Sequence, residues 1–193
     1  MLRTLPAALL ITATLLLGGC DVPIIAAPPT PAPTAPTATP VPLPPGAADR
    51  LARYVEGTRT LLAEIDGDAP VDALRETTND LLDQSLKLLP DYLDLYPHCE
   101  SYLAATLEIA LIWDSLSPSD IRRDYLDQGI LPTSPRTPNC EPMKDLIVRA
   151  AMMLSLQDQP DVDRIGLRAE IATLGARAET VTLRPEPTTT PGG

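Results

Sequence analysis

Proline placement limits this chain more than any other feature. Ten prolines (Pro23, Pro28, Pro29, Pro31, Pro33, Pro36, Pro40, Pro42, Pro44 and Pro45) fall within residues 22–46, with four threonines among them. Each fixes φ and removes a backbone donor, so neither a helix nor a central strand can form there. The composition favours extended polyproline II and cannot bury a core. At about 3.1 Å per residue the stretch reaches roughly 75 Å, which makes it a spacer. Threonines among prolines are also the composition of O-glycosylated stalks. Residues 184–193 form a second proline-rich polar piece, expected to be a disordered tail. Folding is therefore confined to residues 47–183, the size of one domain.

Within that window the apolar period is helical. Leu51, Tyr54, Val55, Thr58, Leu61, Leu62 and Ile65 share one face of a first helix that stops near Gly67. Val71, Leu74, Thr78, Leu81, Ser85 and Leu88 mark a second amphipathic helix, which Pro90 bends or breaks, with a short turn through Tyr92 and Leu95 up to Pro97. Residues 101–113 carry one charge, Glu108, and are expected to form the buried central helix. Ser117-Pro118-Ser119-Asp120 is a helix start, with a serine cap, proline at the first position and an acid at the third. That helix is short and ends near Gly129. Four prolines make 129–142 a loop, and Met143 to Leu156 reads as another helix. The last begins at Asp161, with Ile165, Leu167, Ile171, Leu174, Ala178 and Val181 inward; residues 180–183 are read as its end, with a short extended piece as the alternative. The expectation is an all-α, up-and-down bundle of about five helices.

The N-terminus has the anatomy of an export signal. Arg3 provides a positive start, Leu5 to Leu17 carries no charge, and Gly18 and Gly19 precede Cys20. The apolar run is shorter than the roughly 20 residues that span a bilayer. Leu17-Gly18-Gly19-Cys20 resembles the lipobox of bacterial lipoproteins, departing from it only in Gly18, where alanine or serine is commoner. The resemblance covers about twenty residues. It implies removal of residues 1–19, diacylglyceryl on the Cys20 sulfur and an acyl chain on the new amino terminus, palmitate-type modifications that hold the chain to the extracytoplasmic face of a membrane. Two or more acyl chains anchor stably where one does not. Asp21, next to the anchoring cysteine, implies inner-membrane retention in an envelope with two membranes.

Setting Cys20 aside leaves Cys99 and Cys140, an even pair in an exported chain, which argues for one disulfide. Its rivals are free thiols and a metal site made by the pair with His98. No CxxC or HxxxH spacing supports the metal, and no metal or other cofactor is expected.

Without Arg3 the chain holds 14 basic against 26 acidic residues, a net charge of −12. Nucleic acid and anionic lipid both call for basic surface and are excluded as partners of the domain. Two lysines against thirteen arginines reflect genome composition more than function.

Candidate chemistry concentrates between Asp91 and Trp113. Four of the six aromatic residues lie there (Tyr92, Tyr96, Tyr102 and Trp113), with the only histidine, His98, and with Glu100 and Glu108. In a chain without phenylalanine this cluster is a candidate ligand site made of Tyr92, Tyr96, His98, Tyr102, Glu108 and Trp113. The plainer reading is that the rings fill the core and send their polar tips outward. Glu108 is either a buried acid of raised pKa or part of an exposed stripe with Ser101, Ala105 and Ser115, and the stripe is favoured. Met143, Met152 and Met153 do not share a face and fill the core. The sequence shows no glycine-rich phosphate loop, GxSxG, HExxH, CxxCH or ExxH, and no catalytic residue is assigned. The functional expectation is a lipid-anchored helical module that binds another envelope protein. The alternative is a lipoprotein that binds a small ligand or metal through residues 92–113.

Overall fold

The computed structural model describes residues 43–127, 129–135 and 139–184. The stretch read as an export signal, most of the proline-rich segment and the residues beyond Arg184 lie outside these residues. The described residues form no strand. The helices are α1 (Ala47–Asp66), α2 (Val71–Leu95), α3 (Glu100–Leu107), α4 (Ile109–Ile112), α5 (Pro118–Ile121), α6 (Cys140–Gln157) and α7 (Arg164–Ala178).

The four longest, α1, α2, α6 and α7, form a closed ring in which each packs on two neighbours. Their directions alternate. The end of α2 meets the start of α6 through the Cys99–Cys140 disulfide, and Arg75 near the start of α2 reaches the Gln157 carbonyl at the end of α6. Arg164 at the start of α7 donates to Ala69 just past the end of α1, and Arg177 near the end of α7 pairs with Asp145 near the start of α6. This is an up-down-up-down bundle with one long crossover, residues 96–139, between its second and third long helices. The crossover holds α3, α4 and α5, all packed on α6.

Local sequence explains the boundaries. Gly46 enters α1 with φ +81, a backbone conformation natural to glycine. Gly57 lets Leu81 of α2 pack against α1: a Cβ at Gly57 would lie 2.8 Å from Leu81 Cδ2. Pro90 does not end α2, which runs through it to Leu95. Leu88, Leu89, Tyr92 and Leu95 are buried on either side of Pro90, and their packing offsets the one backbone hydrogen bond that proline removes. The Ser117 hydroxyl caps α5 by accepting from Asp120 N at 3.2 Å. After Ile121 the chain widens into one π turn, residues 122–126, closed by Asp127 N donating to the Arg122 carbonyl at 2.8 Å.

Several details differ from the sequence expectation. The helix expected from Met143 starts at Cys140, so Pro142 of the expected loop 129–142 lies in the first turn of α6, and the last helix starts at Arg164, capped by Asp163, not at Asp161. Residues 101–113 are not the central helix. They divide into α3, α4 and a 3₁₀ turn, and Leu111 is 83% exposed. The most enclosed helix is α6, in which Met143 to Val148 and Ala150 to Ser155 are all buried. Ile165, expected inward, is 85% exposed, because it lies two residues (about 200°) from the buried Leu167. The chain leaves helical geometry after Ala178, so residues 181–184 run as an irregular segment with Val181 buried.

The disulfide pairing is as expected, with the two Cα atoms 5.4 Å apart. It closes a loop of separation 41 around the crossover. On the chain-entropy account this stabilises the fold by about 4 kcal/mol.

Candidate functional site

The disulfide corner gathers most of the aromatic candidates. Tyr92 and Tyr96 leave the last turns of α2 with ring centroids 4.7 Å apart, and His98 stands edge-on to Tyr96 at 6.2 Å. The buried phenols are spent on fixed partners. Tyr92 donates to the Asn139 carbonyl at the entrance to α6. Tyr96 Oη contacts the Thr182 carbonyl at 3.0 Å and the Arg184 carbonyl at 2.6 Å, so it holds the C-terminal segment against the end of α2. Tyr102 donates to Glu141 Oε1 at 2.7 Å. Burial, with the Glu141 carboxylate second, pushes the Tyr102 phenol well above its ordinary value. Burial acts to raise Glu141 as well, but hydrogen bonds from Ser134, Tyr102 and Lys144 outweigh it and leave that carboxyl below its ordinary value.

His98 is exposed, while Cys99 and Cys140 beneath it are fully buried. Their donor atoms all lie within 4.8 Å of one another. Glu108 and Trp113 stand apart from this corner. Glu108 is exposed, as are Ser101 and Ser115, and its charge bears on Tyr125. Trp113 is half-buried in the 3₁₀ turn after α4.

Sequence reasoning missed a second cluster, on α6. Lys144, with its side chain 3% exposed, lies 2.9 Å from Glu141 and donates to the Leu126 carbonyl at 3.2 Å. Asp145, 8% exposed, takes Lys144 at 3.5 Å, Arg149 at 3.7 Å and Arg177 at 3.1 Å. Arg149 continues to Glu170 at 2.7 Å, and Glu170 to Arg122 at 2.6 Å. The signal was present in the run Glu141, Lys144, Asp145 and Arg149, whose three- and four-residue spacing pairs opposite charges along one helix. The network joins α6 to the π turn and to α7, and every acid in it has a cation.

Among the described residues, a polar and an apolar groove open on the ring. The polar one, about 540 Å³ between α1 and α2, holds Arg50, Arg53, Asp80, Asp83, Gln84 and Lys87. Within it Lys87 pairs with Asp83, while Arg50 pairs with Asp91 outside the lining. The apolar one, about 470 Å³, lies between the first half of α1 and the segment after α7. Leu51 and Val55 form one wall and Ala178, Val181 and Leu183 the other, with the exposed Arg59–Glu179 pair, 3.5 Å apart, among its lining. Apolar lining with few polar groups is the character of a binding surface. The wall made by Val181 and Leu183 belongs to the segment that Tyr96 holds.

Among the described residues, fold and surface define a helical, disulfide-stapled bundle with an apolar groove beside the entry of its first helix. Compared with known proteins, the chain matches no family model, no curated protein and no solved structure.

Proposed function

We propose that this chain is a lipid-anchored extracytoplasmic module that docks another protein of the cell envelope in the groove between α1 and residues 178–183. The observation that carries the reading is the groove itself, an open apolar trough on a domain whose surface is otherwise strongly acidic. Charge selects the occupant. The chain's net negative charge attracts a cationic partner, so the fitting segment is an amphipathic helix that lays its apolar stripe into the trough and carries basic residues beside it. An anionic lipid surface would be repelled by the same charge. The lipobox-like Leu17-Gly18-Gly19-Cys20 supports the anchor, and the proline-rich residues 22–46 support a domain held off the membrane by a long spacer.

Two measurements test the reading. Mass spectrometry of the native product should find the amino terminus at Cys20 carrying acyl groups; an uncleaved, unmodified chain in the cytosol overturns the anchor. A photo-crosslinking residue at Ala52, an exposed position lining the groove, should capture one envelope protein in intact cells, and high salt should weaken the capture. The same residue at Ser101, exposed on α3, should capture nothing. No adduct from position 52, or the same adducts from both positions, overturns the docking site.

A further inference from the structure

We propose that Cys99, Cys140 and His98 form a redox-gated zinc site, closed as long as the disulfide stands and opened when it is reduced. The inference is independent of the docking groove and rests on where three ligand types have been placed. Cys99 is the residue before α3 and Cys140 is the first residue of α6. Both cysteines are therefore held at helix starts, on backbone that the two helices fix in place. His98 lies over them on the solvent side. The three donor atoms lie within 4.8 Å of one another. Zinc with thiolates at about 2.3 Å and an imidazole at about 2.0 Å sets its donors roughly 3.5–3.8 Å apart. Side-chain rotation at the three residues covers the difference, and the Cα separation of 5.4 Å between the cysteines needs no change of backbone. Two thiolates and one imidazole are the borderline-soft set that zinc takes, and the exposure of His98 leaves the fourth position to water or an incoming ligand.

The chemistry balances as follows. A dithiol donor of the envelope passes two electrons and two protons to the disulfide, becomes a disulfide itself and leaves Cys99 and Cys140 as thiols. In vitro a tertiary phosphine does the same, its oxygen coming from water as it is oxidised to the phosphine oxide. Zinc then displaces the two thiol protons and binds neutral His98. Oxidation reverses the sequence and expels the metal, so metal occupancy reports the redox state.

The test uses the full chain with Cys20→Ser in every arm, so that only the pair contributes thiols. The phosphine-reduced protein, its helicity checked by circular dichroism, is titrated anaerobically with Zn²⁺ against a chromogenic chelator. It is then titrated with Cd²⁺, whose thiolate absorption counts bound sulfurs. The expected result is one Zn²⁺ and two thiolates per reduced chain, none in the oxidised chain, and affinity about tenfold weaker or more in His98→Ala. Circular dichroism of His98→Ala, whose native ring stands edge-on to Tyr96, checks that the variant is folded before it is titrated. Three results overturn the proposal: no zinc bound by the reduced chain, unchanged affinity in His98→Ala, or loss of helix on reduction that zinc does not restore.

Discussion

The phenol of Tyr54 on α1 donates to the backbone carbonyl of Leu146 on α6 at 2.8 Å, crossing the ring of long helices between two members that are not neighbours. Tyr54 is fully buried, and burial, with the Asp145 charge second, holds its phenol protonated far above the ordinary range. Tyr54→Phe keeps the ring and removes the cross-tie. The expected loss is about 1 kcal/mol, read as a lower urea midpoint at unchanged m-value. An unchanged midpoint would show that the hydrogen bond adds nothing to the packing of the ring.

Asp145 holds three cations from a nearly closed environment, and removing its charge leaves Lys144 and Arg149 buried without their shared acid. Asp145→Asn is expected to destabilise by about 2 kcal/mol, because three cations lose a shared, nearly buried acid while Lys144 keeps Glu141 and Arg149 keeps Glu170. Arg177→Ala removes a half-exposed member of the same network and is expected to cost less than about 1 kcal/mol. Chemical denaturation of the two variants side by side checks the order. Equal losses would mean that solvent reaches Asp145 as freely as it does Arg177.

Asp66 at the end of α1 receives two hydrogen bonds from Arg168 on α7, at 2.6 and 3.2 Å. The guanidinium lowers this carboxyl from its ordinary 3.8, through the hydrogen bond first and charge attraction third, against a smaller opposing effect of burial. A folded-state pKa below the unfolded one favours the fold above pH 3.8, and that contribution is lost as the pH falls through the lowered value. Arg164 and Asp68, 3.7 Å apart, are a second ion pair at this end of the bundle. Carboxyl-detected NMR should therefore place the Asp66 midpoint below 3.8 in the native chain and move it upward in Arg168→Ala. A midpoint that ignores the substitution would remove Arg168 as the cause.

How much of this was legible follows from what periodicity encodes. The faces of α1 and α2 could be read because Tyr54, Thr58, Leu61 and Ile65, and Leu74, Thr78, Leu81, Ser85 and Leu88, recur every three or four residues and are the residues the bundle buries. The cysteine pair could be read from parity. The central position of α6 could not. Its Lys144 and Asp145 look like surface residues until the partners from the π turn and α7 are in place, whereas residues 101–113 look buried because charge is scarce there. Periodicity gives a helix its face, but the choice of which helices share a ring is made by contacts distant in sequence. The apolar groove was hidden for a related reason. Val181 and Leu183 read as a helix end, and only a departure from helical geometry after Ala178 carries them onto α1.

That departure depends on one phenol. Tyr96 Oη touches the Thr182 carbonyl, the Thr182 hydroxyl at 3.2 Å and the Arg184 carbonyl, and it accepts from Arg184 N at 3.3 Å. No regular secondary structure holds residues 181–184, so their order depends on this hub and on the burial of Val181. Tyr96→Phe keeps the ring that packs on Tyr92 and removes the hub. Global stability should fall by only about 1 kcal/mol, since a single hydrogen-bonding hydroxyl is lost and the ring of long helices is untouched. Locally the effect should be larger. The amides of Thr182 to Arg184 should exchange with solvent at least about tenfold faster while those of α6 barely change, the pattern of a segment opening on its own. Capture from position 52 should fall in parallel, because the segment that loosens is one wall of the groove. Exchange that speeds up equally in α6 and in residues 182–184 would instead make Tyr96 an ordinary core residue whose loss is felt everywhere.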